Sequence, residues 1–350
     1  MKDHSPLSAW TLSLLASTLW WSSLGSGAAL GQTVVTTVPV GFVKVTASAA
    51  ADSTNPSLTA LSVPFYGAVS YAGTISSVDS TSALSSSAAA WTSGQFVSAP
   101  TLLRIKSGAS TGRFFLISAN TSTQVSLTTG GYSLVTTTPT VGTQLQVAVG
   151  DKFEIVAANT LGSVFGAGSV ALQTGASASV ADNVLAYSPS TNGWITYFHD
   201  GASWRDAAVS GNQNNVVIAP DAALFVLRRA TTAVDLYFSG TVPSTNEVAD
   251  WAGSSGRFFG NRFPVDTTLG ALGAHTSPNW KSGLSAGSSD NILVWNGSTW
   301  SCFYYNGTHW RRAGSLKDFD TQALPAGGGM FITRRGTSSV TGTLQLPYTF

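Results

Sequence analysis

Apolar and polar residues alternate with a period of two along much of the chain, and this alternation predicts β-strands. Clear examples are residues 42–46, 103–106 and 145–149. Successive side chains of a strand point to opposite faces, so each segment reads as a strand with one buried face. The continuous apolar run at residues 114–117 predicts a strand buried on both faces. Turn dipeptides such as Asn-Gly and Asp-Gly separate these runs.

The pattern predicts an all-β fold of short antiparallel strands in sandwich-like or barrel-like domains. Helical periodicity is scarce. Asn159 or Thr160 could cap a single helical turn over residues 161–165, and a similar turn is expected at residues 268–272.

A long block of sequence occurs twice and is built around aromatic hairpins. The first copy reads WITYFHDGASWR at residues 194–205, and the second reads WSCFYYNGTHWR at residues 300–311. Each copy also contains Asp-Asn followed by two apolar residues, and later Phe-x-x-Arg-Arg, at residues 182–185, 225–229, 290–293 and 331–335. A repeat of this length indicates a duplicated folding unit.

The start of the chain resembles a secretory signal peptide. Lys2 precedes an uncharged apolar segment, and Ala29 and Gly31 provide the small residues expected before a cleavage site. We therefore expect export, with a mature chain beginning at Gln32, to the extracellular space, the cell surface or the periplasm. An uncleaved membrane anchor is the alternative. No later segment is long and apolar enough for a helical membrane span, so none is expected in the mature chain.

The repeat and the signal peptide predict the domain organisation. We expect a signal peptide at residues 1–31, an N-terminal β domain at 32–159, a first β repeat unit at 160–243, a linker at 244–267 and a second β repeat unit at 268–350. The sequence Gly-Arg-Phe-Phe at residues 112–115 returns at 256–259, inside the expected linker. This similarity predicts an older, partly lost duplication of a strand.

Two-residue turns at the Asp-Gly and Asn-Gly dipeptides would place Tyr197 opposite Trp204 and Phe303 opposite Trp310. One face of the second hairpin is then a core face, formed by Ile292, Val294, Phe303 and Trp310. The other face carries Arg311 and the four candidate ligand-binding residues, Trp295, Trp300, Tyr304 and His309. Such a face either packs on a neighbouring sheet or binds a sugar ring or an apolar partner.

Composition and motifs exclude several other functions. Charged residues make up 9% of the chain and the net charge is +1, so no nucleic-acid partner is expected. The single Cys302 cannot form an intrachain disulfide and reads as a small apolar residue. The histidines lack metal-ligand spacing, so neither a metal nor a cofactor is expected.

Two short motifs resemble catalytic or cofactor sites but lack the required surroundings. Residues 108–112 fit G-x-S-x-G, yet a β-type run follows where a nucleophile elbow needs a helix. Residues 166–171 fit G-x-G-x-x-A without the flanking strand and helix of a dinucleotide site. No catalytic residue is predicted, although two carboxylates distant in sequence could still meet in the fold.

Several segments resemble a family of uncharacterised exported β-rich repeat proteins of Gram-negative bacteria. The resemblance is carried by VPVGFVKV at residues 38–45, GDKFEIV at 150–156, Thr-Leu-Gly at 160–162, and the Trp-x9-Trp-Arg and Phe-x-x-Arg-Arg sequences. It spans most of the mature chain and implies export and an all-β fold. It implies no particular activity.

Three functions compete at this point. The first is an exported, non-enzymatic structural or binding protein of the cell surface or extracellular matrix, with a glycan or a surface protein as partner. The second is an outer-membrane β-barrel, because Leu344, Leu346, Tyr348 and Phe350 alternate up to the end of the chain, although Pro347 interrupts that strand. The third is a carbohydrate-active enzyme with a dispersed catalytic pair.

Overall fold

The computed structural model describes residues 39–52, 54–130, 132–135 and 147–349. The predicted signal peptide and its cleavage site lie outside the described residues, as do Phe350 and the start of the strand predicted at 145–149. The described residues form 23 strands, two short α-helices and one turn of 3₁₀ helix at Ala274–Thr276. The prediction of an all-β fold of antiparallel strands is confirmed.

The first repeat unit is assembled from two separate parts of the chain. Its strands and helix are β1 (Val40–Ala47), β2 (Ser57–Ser62), α1 (Leu161–Phe165), β10 (Asn183–Ser188), β11 (Gly193–His199), β12 (Trp204–Asp206), β13 (Ala223–Arg228) and β14 (Val234–Thr241). Sheet 1 has the strand order β12-β11-β10-β13-β2, and β1 pairs with β14 as ribbon 1. The unit predicted at 160–243 therefore also contains β1 and β2.

A seven-stranded sheet is inserted between β2 and α1. Its strands are β3 (Val69–Thr74), β4 (Ser77–Val78), β5 (Ala83–Ser85), β6 (Thr101–Ile105), β7 (Phe114–Asn120), β8 (Gln124–Thr128) and β9 (Lys152–Ala157), in the order β3-β9-β6-β7-β8-β5-β4. One face buries Leu103, Phe115 and Phe153 together with Trp91 and Phe96. The domain expected at 32–159 thus corresponds to this insertion preceded by two strands of the first unit, β1 and β2.

The second repeat unit repeats the arrangement of the first without the insertion. It contains β15 (Glu247–Trp251), β16 (Gly256–Gly260), β17 (Thr267–Thr268), α2 (Leu269–Leu272), β18 (Asn291–Trp295), β19 (Trp300–Tyr305), β20 (Trp310–Arg312), β21 (Ala323–Leu324), β22 (Gly329–Thr333) and β23 (Val340–Leu344). Sheet 2 has the order β16-β22-β18-β19-β20, β15 pairs with β23 as ribbon 2, and β17 pairs with β21.

The segment predicted as a linker, residues 244–267, is therefore not a linker. It supplies β15 and β16, which pair with β23 and β22 in the second unit. These two strands occupy the positions that β1 and β2 occupy in the first unit. The sequences of the two strand pairs have diverged, so the duplication is visible in the strand pairing and not in the residues.

Each unit has its own core, and a third apolar layer joins the two units. Sheet 1 packs on ribbon 1 and α1 through residues such as Val184, Val226 and Phe238. Sheet 2 packs on ribbon 2 and α2, and Ile292, Phe303 and Trp310 lie in that core, so the predicted core face is confirmed. The opposite faces of sheets 1 and 2 meet around Phe225, Phe258 and Phe331. Alternation along each strand places one set of side chains in each layer.

The predicted helical turns form where the sequence places them. In α1 the Thr160 side chain accepts a hydrogen bond from the Ser163 N–H, 3.1 Å away, and the Ser163 hydroxyl lies 2.8 Å from the Thr160 nitrogen. In α2 the Thr268 side chain accepts from the Ala271 N–H. These capping contacts satisfy backbone N–H groups that a helix start leaves without partners.

The hairpin loops contain four residues, and the predicted register is wrong by two positions. Asp200, Asn296 and Asn306 each accept hydrogen bonds from the N–H groups two and three residues later. This side-chain bonding stabilises a wider loop than the Asn-Gly dipeptide alone predicts. Tyr305 therefore lies opposite Trp310, and His199 lies opposite Trp204. Because side chains alternate with a period of two, the shift leaves the residues of the strands on their predicted faces, but His309 now lies in the loop.

The hydrogen bonds of Asp200 predict that the first hairpin loses stability in acid. The hydrogen bond from the Ser203 N–H, followed by that from the Arg205 side chain, holds the pKa of Asp200 well below its usual range. A lowered pKa in the folded state contributes stability above the unfolded pKa of about 3.9. This contribution is lost as the pH falls through the folded value.

We expect the wild-type melting temperature to fall more than that of Asp200→Asn between about pH 4 and pH 2. The equivalent Asn306 of the second unit already shows that an amide is compatible with this loop. Equal pH dependence of the two proteins would show that the Asp200 contacts contribute no stability.

Candidate functional site

The repeated polar motifs form buried structural contacts. In the first unit, Arg228 Nη1 donates to Asp182 Oδ2 over 2.6 Å, and Asp182 Oδ1 accepts from the Arg229 N–H over 2.6 Å. In the second unit, Arg334 Nε donates to Asp290 Oδ2 over 2.8 Å, and the Arg335 N–H donates to Oδ1 over 2.6 Å. Both aspartate side chains are fully buried. The duplicated Asp and Arg-Arg sequences therefore hold the sheets to their connecting loops.

Trp295 and Trp300 lie between the two units. Trp295 Nε1 donates to the Leu58 carbonyl of β2 over 2.9 Å. The ring of Trp300 lies 5.7 Å from that of Phe225 in sheet 1 and 5.3 Å from that of Trp295. Both tryptophans are partly buried. These two candidate residues therefore pack on a neighbouring sheet, one of the two roles that the sequence predicts for this face.

Tyr304 and His309 occupy different surroundings. Tyr304 is partly buried and shares the face of Trp300 on β19, opposite Arg311 of β20. His309 is exposed in the loop after β19, where Nδ1 lies 2.7 Å from Asp320 Oδ2. The structure thus brings Trp295 and Trp300 into one aromatic layer and places His309 in a separate contact.

The fully buried Trp310 is expected to stabilise the second unit strongly. It is 0% exposed in the core, whereas Trp194 in the layer between the units is 42% exposed. Trp310→Ala should lower the free energy of unfolding by about 3–5 kcal/mol, because it leaves a large cavity. Trp194→Ala should cost about 1–2 kcal/mol, because much of that ring already contacts water. Urea denaturation measures both values, and a larger cost for Trp194→Ala would contradict this packing.

A cleft with charged residues in its wall lies where the seven-stranded sheet meets the second repeat unit. Its volume is about 360 Å³, and its charged and aromatic lining includes Arg113, Tyr132, Asp221, Asp250 and Arg257. Arg113 immediately precedes β7, Asp221 precedes β13, Asp250 belongs to β15, and Arg257 belongs to β16. The inserted sheet and both repeat units therefore contribute to one cavity. The two similar Gly-Arg-Phe-Phe segments each supply one of its arginines.

The charged residues of the cleft form two ion pairs. Arg113 binds Asp250 through both terminal nitrogens, and the Thr341 hydroxyl donates to Asp250 Oδ1 over 2.7 Å. Arg257 Nη2 donates to Asp221 Oδ2 over 2.5 Å, and its Nη1 donates to the Asp250 carbonyl over 2.9 Å. Paired guanidinium and carboxylate groups hold fixed positions and still offer further donors and acceptors.

Asp221 is the most deeply buried charged residue of this lining. The residue is 3% exposed, and its Oδ1 has no hydrogen-bond partner among the described residues. Buried polar atoms of this kind are uncommon in folded proteins. Tyr132 lies on the same cleft, and burial raises the pKa of its phenol, so the hydroxyl stays protonated and able to donate.

A buried charge cluster holds the parts of the protein together beside this cleft. Glu247 of β15 is fully buried and binds Arg104 of β6 and Arg262. The hydroxyl of Tyr66 donates to Glu247 Oε2 over 2.6 Å and accepts from Arg262 Nη2 over 2.6 Å. Burial raises the pKa of Tyr66, so its phenol remains neutral. The cluster joins residues from both units and the inserted sheet, and thereby fixes the cleft walls relative to each other.

The remaining candidate motifs have structural roles. Residues 108–112 form the turn between β6 and β7, as the sequence indicates for a hairpin. Burial raises the pKa of the Cys302 thiol, which disfavours the reactive thiolate. Within the ranges that the structure describes, no group of three or more His, Cys, Asp or Glu side chains is placed to bind a metal ion.

Comparisons with known proteins give no family assignment. No family model, curated protein or solved structure matches the chain. The resemblance to exported repeat proteins therefore stays a prediction. None of the helices in the described part of the chain has the length and apolarity needed to span a membrane.

Proposed function

We propose that the chain is an exported, non-enzymatic binding protein of the cell surface or extracellular matrix, and that it holds a glycan in the cleft. The observation that carries this proposal is the set of two ion pairs and Tyr132 around one cavity. Sugar hydroxyl groups both donate and accept hydrogen bonds, which suits a wall of alternating guanidinium and carboxylate groups. Ligand sites combine a concave surface with a few fixed polar groups of this kind.

The bonding of the carboxylates favours binding over glycoside hydrolysis. Both oxygens of Asp250 already accept hydrogen bonds from Arg113 and Thr341. One oxygen of Asp221 is held by Arg257. A glycosidase needs one carboxyl group as a proton donor and a second one free to attack the sugar or activate water. Both carboxylates form ion pairs with guanidinium groups, so they suit positioning a ligand. They do not suit the roles of proton donor and nucleophile or base.

A glycan array with the mature chain, residues 32–350, tests the proposal. We expect binding without release of reducing ends. Tyr132→Ala should weaken binding about tenfold, because it removes an aromatic face and a hydroxyl donor from the cleft. Trp300→Ala serves as the matched control, since Trp300 is an aromatic residue packed between sheets 1 and 2.

The array also separates the two candidate binding surfaces. If Trp300→Ala abolishes binding in a protein that stays folded while Tyr132→Ala retains it, the ligand binds the aromatic face of the second hairpin and the cleft proposal is wrong.

Terminal sequencing of the secreted protein tests export in the same preparation. We expect the sequence to start at Gln32, and an intact Met1 would favour an anchored protein.

A further inference from the structure

We infer that the cleft selects an uncharged saccharide, and that the Asp221–Arg257 pair determines this selectivity; the inference rests on the proposed glycan binding. Among the described residues, the charged groups that line the cleft are Arg113, Arg257, Asp221 and Asp250, two of each sign. Each guanidinium is already bound to a carboxylate. The cavity therefore offers hydrogen bonds of both kinds without a net charge.

These arginines would add little binding free energy for an anionic sugar. To bind one of them directly, a carboxylate or sulfate group must displace Asp221 or Asp250, or lie beside it. Displacement leaves a partly buried carboxylate without its partner, and close approach places two like charges together. An ammonium group on the sugar would have to displace Arg113 or Arg257 from its carboxylate, or lie beside a guanidinium of the same charge. A neutral hydroxyl group avoids both costs.

The unpartnered oxygen of Asp221 favours a hydroxyl donor. Oδ2 is held by Arg257, so the carboxylate is fixed, and Oδ1 lacks a partner among the described residues. Because Oδ1 is buried, a sugar hydroxyl reaches it and donates to it only when the Arg257 side chain moves aside. A carboxylate or sulfate group carries only acceptors at neutral pH and cannot do so. Arg257 is 31% exposed, so its side chain can shift to admit the ligand.

Matched glycan pairs test this selectivity. The probes are a neutral saccharide identified on the array, its counterpart with a uronic acid or sulfate group, and its counterpart with a free amino group. Binding is measured by calorimetry with the mature chain. We expect the neutral member to bind at least about tenfold more tightly than either charged member. Equal or tighter binding of a charged member by the wild type would overturn the inference.

Charge variants test the role of the pair. Asp221→Asn gives the cleft one excess positive charge, so neutral binding should weaken about tenfold and anionic binding should rise. Arg257→Gln gives one excess negative charge and should favour the amino sugar instead. The double variant restores neutrality, so it should recover the preference for the uncharged sugar without the wild-type affinity. Asp235→Asn on ribbon 1 removes an exposed ion pair with Lys44 and should change none of these values.

The outcomes separate this inference from the proposed function. No binding of any glycan overturns both. Glycan binding that depends on Tyr132 but keeps its charge preference in Asp221→Asn and Arg257→Gln retains the proposed function and overturns the inference. Thermal melting of each variant shows whether it folds. If Asp221→Asn does not fold, the partly exposed Arg257→Gln still decides the question through its predicted gain of amino-sugar binding.

Discussion

Glu247→Ala is expected to lower the free energy of unfolding by about 3–5 kcal/mol. The substitution leaves Arg104 and Arg262 buried without the carboxylate that binds both. It also removes the acceptor of the Tyr66 hydroxyl. An uncompensated buried charge is among the most destabilising changes in a folded protein. Urea denaturation followed by tryptophan fluorescence measures the loss.

Glu154→Ala is the matched control for this prediction. Glu154 contacts the same Arg104, at 3.8 Å, but its side chain is 22% exposed and its nearer partner is Lys106. We expect it to cost about 1 kcal/mol, because a partly exposed ion pair contributes little. A cost for Glu247→Ala as small as that of Glu154→Ala would mean that the cluster does not hold the inserted sheet to the repeat units.

Asp290→Ala should destabilise the protein by a similar amount, about 3–5 kcal/mol. Its carboxylate is fully buried and binds the Arg334 side chain and three backbone N–H groups, those of Lys281, Arg335 and Gly336. Removing it leaves the buried guanidinium and all three N–H groups without this acceptor.

The duplicated unit supplies the control for Asp290. Asp182 has the equivalent contacts with Arg228, Arg229 and the Gln173 N–H. Asp182→Ala should therefore cost nearly as much as Asp290→Ala in the same denaturation experiment. A large cost at one site and none at the other would contradict equivalent structural roles for the two repeated motifs.

Local signals in the sequence predict local structure well. The Thr160 cap, the strand alternation and the core face with Ile292 and Trp310 all follow from contacts between neighbouring residues. The predicted hairpin register is wrong because the Asn-Gly dipeptide predicts a two-residue turn. In the structure the side chain of Asn306 stabilises a four-residue loop instead. The assignment of β1 and β2 to the first unit could not be predicted, since alternation does not reveal which sheet a strand joins.

The cleft was missed for a related reason. Arg113 and Asp250 are separated by 137 positions, and Asp221 and Arg257 by 36. The first pair meets only when the inserted sheet packs on the second unit, and the second pair only when the two repeat units pack together. No spacing rule indicates either pair. The repeated Gly-Arg-Phe-Phe sequence was the available signal, because both of its arginines reach the cleft. The repeated aromatic residues Trp295 and Trp300 are a stronger signal in the sequence, but they pack in the layer that joins the two units.

Hydrogen–deuterium exchange with and without bound glycan tests most directly whether the cleft is the binding site. Backbone amides near Arg113, Asp221 and residues 248–257 should become protected on binding, since these segments line the cavity. The hairpin at residues 295–309 should be unchanged. Protection confined to residues 295–309, with no change at the cleft segments, would contradict the account.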